Sequence, residues 1–344
     1  MTSVDAAGTS GTSGTVPAAA GSAGPQRLAF IDGIALWTPA WPRWDAAARA
    51  LRGDGDSAGH GDSAGHSAGA GHGEASPPAR AQPTGLAPNE RRRAPDSVRV
   101  ALQVAEQAIA MSGHDAAALA SVFTSAHGDL PIVDALARTL AADPRLLSPT
   151  RFHHSVHNAP SGYWAMASGS HAASTALAAF EHSFGAGLLE ALAQVASDDA
   201  PVLLVGCDTE AAGPLAGVNA SRGLFGMALV LAPRAGPRSR FALHWSLAAA
   251  ADEGGPDAAD RAPTSAAART LAANALADAL PVAEALAKGE AHAMGEAQAQ
   301  GEGQATGAAP APGEAFAAGA VRIALRCGAG AVLRLALQPC AAAG

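Results

Sequence analysis

Apolar positions recur along this chain with two spacings, and the alternation between them predicts its elements. Val98, Ala101, Leu102, Ala105, Ala108 and Ile109 follow one another at three- and four-residue steps, the spacing of one helix face. Asp96 or Ser97 reads as the cap of that helix and Gly113 as its end. Ile132, Leu136 and Leu140 mark a second amphipathic helix closed by Pro144, and Phe184, Leu188, Leu189 and Leu192 line a third. Trp44 to Leu51 reads as a short helix, and residues 266–287 as one Ala- and Leu-rich helical stretch. Between these lie short apolar runs of strand length: residues 27–37 with Gly33 as a break, 121–126, and a wholly apolar run at 202–205. Leu177 belongs to a further strand that leads toward Glu181. Residues 226–233 and 241–246 are expected to form a hairpin pair, and 320–325 with 332–337 a second hairpin across a Gly-Ala-Gly turn. Strands alternating with helices predict a layered α/β fold.

Composition removes parts of the chain from that fold. Residues 1–25 are mostly Ala, Gly, Ser and Thr and show no periodicity. Residues 53–84 contain the six-residue repeat Gly-Asp-Ser-Ala-Gly-His at 55–60 and 61–66, with a variant at 67–72. Residues 288–316 are a Gly, Ala, Glu and Gln tract. Too few large apolar side chains stand in these segments to offset the entropy of ordering, so disorder is expected in all three. What remains is one domain over residues 26–344, interrupted by low-complexity inserts at 53–84 and 288–316.

A net charge of −8 argues against nucleic acid as a partner, and Arg91-Arg92-Arg93 is the one basic run, read as a linker-to-helix junction. No apolar span reaches the twenty residues of a membrane helix, and no basic-then-apolar leader is evident. Cys207, Cys327 and Cys340 form neither a disulfide framework nor a metal spacing, which fits a reducing cytoplasm.

One block carries more specific information. Asn158-Ala-Pro-Ser-Gly162 is followed by Gly169, by Ser174-Thr-Ala-Leu-Ala-Ala-Phe-Glu181-His-Ser-Phe-Gly185, and by Val202-Leu-Leu-Val-Gly206. It resembles the N-terminal half of β-ketoacyl synthases, the thiolase-fold condensing enzymes. Laid on that family's pattern without a gap, Asn158, Gly162, Gly169 and Gly206 fall in register, and the nucleophilic Cys position lands on Glu181. The segments 86–93, 123–130 and above all 147–164 look like a smaller branch, the chain-length-factor subunits of aryl polyene clusters. A shortened thiolase-like α-β-α fold, mainly its N-terminal half, is what the resemblance implies.

Ketosynthases condense acyl units through a thioester on an activated thiolate. A carboxylate sits well at a helix N-terminus but attacks thioesters poorly and yields a labile anhydride. The family's His-Gly-Thr-Gly-Thr and Asn-x-x-x-Gly-His loops are also missing after residue 245. The resemblance therefore implies a non-catalytic subunit that pairs with an active ketosynthase, shapes its acyl tunnel and meets acyl chains on an acyl carrier protein, with no cofactor. Tyr163, Trp164 and Phe184 are the large side chains nearest the block and candidates for tunnel or interface, with Asn158 and Gly162 at the seam; each aromatic also reads as ordinary core.

Two other readings remain open on the sequence. One is an independent thioester enzyme, such as a malonyl-carrier decarboxylase or acyltransferase, using Glu181 with His154 or His157; the other is a scaffold without a tunnel role. His153, His154 and His157 match no zinc spacing and read as a polar interface loop, where His157 and Asn158 bond backbone across the seam. Asp129 reads as a helix cap, Cys207 as a small core residue, and the recurrent His60, His66 and His72 as passengers of the repeat. No Gly-x-Ser-x-Gly elbow is present for a serine hydrolase. The arginine run offers a docking surface for the acidic carrier as an alternative role.

Overall fold

The structure is a computed structural model; it describes residues 26–54, 79–219, 221–249, 263–300, 320–328 and 330–340. The strands are β1 (Arg27–Trp37), β2 (Ala120–Thr124), β3 (Ser174–Leu177) and β4 (Val202–Asp208), then β5 (Phe225–Ala232), β6 (Phe241–Ala249), β7 (Val321–Arg326) and β8 (Ala331–Pro339). The helices are α1 (Trp44–Arg52), α2 (Pro88–Arg93), α3 (Asp96–Ser112), α4 (Leu130–Ala142) and α5 (Pro149–Ser155), then α6 (Ala159–Ser168), α7 (Ser183–Asp198), α8 (Ala266–Leu271) and α9 (Leu280–Gln300). All eight strands join one sheet in the order β3-β2-β4-β5-β1-β6-β8-β7. The β3-β2-β4 end is parallel and the rest antiparallel.

Helices cover both faces. Val202 and Leu204 of β4 with Met227, Leu229 and Leu231 of β5 point into a core closed by α1, α7, α8 and α9. Their neighbours Leu203, Val205, Cys207, Ala228 and Val230 point the other way, against α3 and α6. That strict alternation with both sides buried is why these strands read as continuous apolar runs. The expected layered α-β-α arrangement is the one found.

Strand β1 shows how parity is managed. Ala29 and Ile31 face the α7 side, and so do Ile34 and Leu36, which a regular strand would turn to the opposite side. A register shift between Ile31 and Gly33 supplies the extra residue that restores the parity. Asp32 sits buried at this bulge, accepting from the Ser239 hydroxyl at 2.6 Å and lying 2.8 Å from His114 Nε2. Gly33 lies so close under α3 that a Cβ there would stand 2.1 Å from the Ala108 carbonyl oxygen.

Several sequence expectations need correction. Strands β5 and β6 are not a hairpin pair, because β1 lies between them and pairs antiparallel with both. The β7–β8 hairpin is present as expected. Residues 266–287 are not one helix: Asn274 turns its amide to the carbonyls of Arg222 and Gly223, and Pro281 is compatible only with the first turn of a new helix. The cap expected at Asp96 or Ser97 falls to Pro95, and the Ser97 hydroxyl instead donates to Asp129. Gly113 ends α3 in the left-handed conformation.

Two of the low-complexity segments reach into the described residues. The tail at 1–25, residues 55–78 and residues 301–316 lie outside the described residues. Residues 79–84 are placed, with the Gln82 and Thr84 amides bonded to Gln103 and Glu106 of α3. The tract from 288 begins as helix, since α9 continues through Gln300 on residues of good helix propensity. Its start is tied to the core: Glu290 accepts from the Trp44 indole and from Arg240, and a Cβ on Gly289 would stand 2.6 Å from the Phe241 ring.

Candidate active-site cleft

The carboxyl ends of the parallel strands β2, β3 and β4 meet at one end of the sheet, where open α/β sheets form their ligand crevices. Two loops build the rim. The first follows β2: Asp208, at the end of β4, accepts from the Ser125 hydroxyl at 2.7 Å, the Ala126 amide at 2.8 Å and the His127 amide at 3.2 Å. Burial pushes the Asp208 carboxyl up, against the lowering pull of these bonds. His157 Nε2 lies 2.9 Å from the Ser125 carbonyl, locking the same loop from the α5–α6 connection. Asp129 caps α4 through the Ile132 amide, as the sequence suggests, and burial raises its carboxyl too.

The second loop is the strand-to-helix turn between β3 and α7. Ser183 is fully buried; its hydroxyl accepts from the Ala179 amide at 2.9 Å and donates to the Phe180 carbonyl at 2.6 Å. Thr124 of β2 donates to the Ser183 carbonyl, and Asp278 accepts from the Gly185 amide at 3.0 Å. The residue at the strained tip of this tightly held turn is Phe180, with φ 50°, and not its neighbour Glu181. Phe180 is 69% exposed, and its ring meets His127 edge-on at 6.4 Å between centroids. The Glu181 side chain is 80% exposed, with His182 Nε2 3.9 Å away, beyond hydrogen-bond length.

The remaining sequence candidates are dispersed. His154 is buried and its Nε2 lies 2.8 Å from the Tyr163 hydroxyl; burial, and next His153, lower its pKa, while burial raises that of Tyr163. Trp164 belongs to the core under α3 and Phe184, fully buried, to the core on the opposite face. Asn158 starts α6 without a side-chain cap, exposed, and a Cβ on Gly162 would meet nothing within 4 Å. The structure thus brings His157 to the rim while His154 serves Tyr163. Phe180 escaped the sequence reading; an aromatic followed directly by two polar residues at a predicted turn was the available signal.

The turn itself holds no cysteine; Cys327, outside it, places its Sγ 3.3 Å from the carbonyl oxygen of Gly185 in the first turn of α7. Cys207 is buried on β4 with its pKa raised well above the ordinary value, Cys327 is pushed up to about 12, and Cys340 is raised, in each case chiefly by burial. Thiols shifted this way are protonated at neutral pH and poor nucleophiles. Among the described residues no group of three or more His, Cys, Asp or Glu converges as a metal site. Nor is any described helix long and apolar enough to cross a membrane.

The model of the β-ketoacyl synthase N-terminal domain matches residues 68–298, more than half of the sequence. The chain belongs to that family. Three solved structures of ketosynthase type share its fold across nearly their whole length. A ketosynthase in complex with its chain length factor from Xenorhabdus doucetiae is 18% identical, with 90% of this chain and 99% of that chain covered at a TM-score of 0.56. The ishigamide ketosynthase/chain length factor is 15% identical, with 91% and 99% covered at 0.60. A β-ketoacyl synthase from Burkholderia phymatum is 15% identical, with 92% and 100% covered at 0.54. At these identities the likeness establishes a thiolase-like fold. No curated protein matches the sequence.

Proposed function

We propose that this ketosynthase-family chain is a non-catalytic subunit of chain-length-factor type. It pairs with an active β-ketoacyl synthase, in the cytoplasm, and shapes the tunnel that holds the growing acyl chain. The observation that carries this is the β3–α7 turn, where the family's nucleophile belongs: it presents Phe180 and Glu181 and no cysteine, while Cys207 is buried on β4, Cys327 and Cys340 are half-buried outside the turn, and burial raises the pKa of all three. Strand β3 supports a pairing role, since it ends the sheet with one edge unpaired among the described residues, as a strand does where a second chain can continue it. Large apolar side chains exposed on α4, α5 and α6, among them Leu140, Phe152 and Met166, suit burial against a partner. Asn158 and Gly162 on the open side of α6 belong to the same proposed contact.

The substrate would be an acyl chain on an acyl carrier protein in fatty-acid or polyketide-type synthesis, of the aryl polyene kind by the resemblance of residues 147–164. An independent thioester enzyme is less well supported. It would need Glu181 paired with His154 or His157, whose ring nitrogens are engaged with Tyr163 and Ser125.

Co-expression with the ketosynthase of the same genome tests the proposal. A complex that copurifies, condenses malonyl units only while the partner keeps its cysteine, and is indifferent to Glu181→Gln is the expected result. A lone chain that turns over malonyl or acyl thioesters and loses this with Glu181→Gln would refute it.

A further inference from the structure

Two residues other than glycine have positive φ among the described residues, Phe180 and Asp199. Asp199 follows the last turn of α7, a place where a short polar side chain tolerates the left-handed conformation. Phe180 has no such excuse, since bulky residues are true outliers there. Asn or Gly would make the same turn with less strain. The surrounding bonds nevertheless over-determine it: the Ser183 hydroxyl grips both sides of Phe180, the His182 amide donates to the Ala179 carbonyl, and Asp278 and Thr124 fix the start of α7. The ring that this strain holds up is exposed, and His127 is its one aromatic neighbour. Strain held at a position that also exposes an aromatic is the mark of a functional site.

We propose that Phe180 is a specificity-determining residue, the end-stop against which the distal end of the partner's acyl chain comes to rest. This rests on the partner-subunit reading above. The placement argues for an acyl chain as the occupant. Phe180 stands at the carboxyl ends of parallel strands, where ligand crevices form, and follows β3, the edge strand at which a second chain would add. An uncharged ring offers an apolar chain end dispersion contact and blocks its further advance, whereas Glu181 beside it makes apolar growth past the turn costly. Trp164 and Phe184, committed to the two cores, are not available for this task.

The test uses the copurified complex of the full chain with its ketosynthase, supplied with malonyl and acyl carrier protein, and reads product length by mass spectrometry. Phe180→Ala is expected to shift products longer by one or more condensation cycles, Phe180→Trp to shift them shorter, and Phe180→Leu to fall between. Because the side chain is exposed, each variant should melt cooperatively like the wild type. Unchanged product lengths in all three variants, in an intact and active complex, would overturn the proposal. So would loss of copurification with Phe180→Ala, which would make the ring a wedge between subunits. If the wild-type chain neither copurifies with the ketosynthase nor alters its products, the partner-subunit reading fails before any variant is made.

Discussion

Asp278 offers a quantitative check on how the β3–α7 turn is held. It lies half-buried in the 3₁₀ turn Ala277–Ala279, its Oδ2 accepting from the Gly185 amide while its buried Oδ1 has no hydrogen-bond partner among the described residues. Burial, against the pull of the Gly185 and Phe184 amides, raises its carboxyl from 3.8 to about 7. With the folded value above the unfolded one, the native state holds a proton that the unfolded chain releases. Stability from this group is therefore complete below about pH 4 and is lost as pH climbs through about 7. From pH 5 to 7 the loss is about 2 kcal/mol, since the slope of about 1.4 kcal/mol per unit falls to half at pH 7, where the native carboxyl itself ionises. Asp278→Asn removes the titration and keeps an acceptor for Gly185. Denaturant unfolding at pH 5, 6, 7 and 8 should show the wild type losing roughly 3 kcal/mol relative to the variant, since other buried carboxyls such as Asp208 titrate in both. A difference between the two proteins that stays constant over that range would mean the carboxyl ionises normally, and the reasoning from burial would be wrong.

Two other outcomes follow from packing. Gly33→Ala would press a methyl into the Ala108 carbonyl across the β1 bulge, and equilibrium unfolding should register a loss of about 3 kcal/mol, at the upper end of overpacking effects. Phe184→Ala should cost about 3–5 kcal/mol of stability as a core deletion and, in an intact complex, leave product length unchanged, in contrast to Phe180→Ala.

Most of the secondary structure was legible because each signal is local. The four-residue rhythm of α3, the Pro144 stop and the Gly113 cap all depend on residues within a turn or two of one another. Strand order was not legible: nothing near Leu229 says that its neighbour across the ladder is Ile34 rather than a residue of β6. The break at Asn274 escaped for the same reason, since the carbonyls that hold it belong to residues 222 and 223. Helix α9 past Lys288 was hidden by composition, because Ala, Glu and Gln look uninformative yet favour helix once a buried first half nucleates it. At the site, the sequence located the turn, but which of its residues would be forced into the left-handed conformation depends on Ser183, Thr124 and Asp278 acting together.

The central place of β1 bears on how the protein is made. Phe30 pairs with Ala232 and Leu28 with His244, so the ladders on both sides of β1 wait for residues made some two hundred positions later. At about 5–20 residues per second, translation takes roughly 10–40 seconds to bring the partner strands out of the ribosome. During that interval the apolar faces of β1 have α1 and α3, and later α7, to shelter them, but neither neighbouring strand. Such non-local pairing is slow to form and exposes unpaired edges to other nascent chains. The burden of synthesis for this protein therefore falls on its first strand, and yield in cells will follow how well that strand is protected until the middle of the sheet arrives.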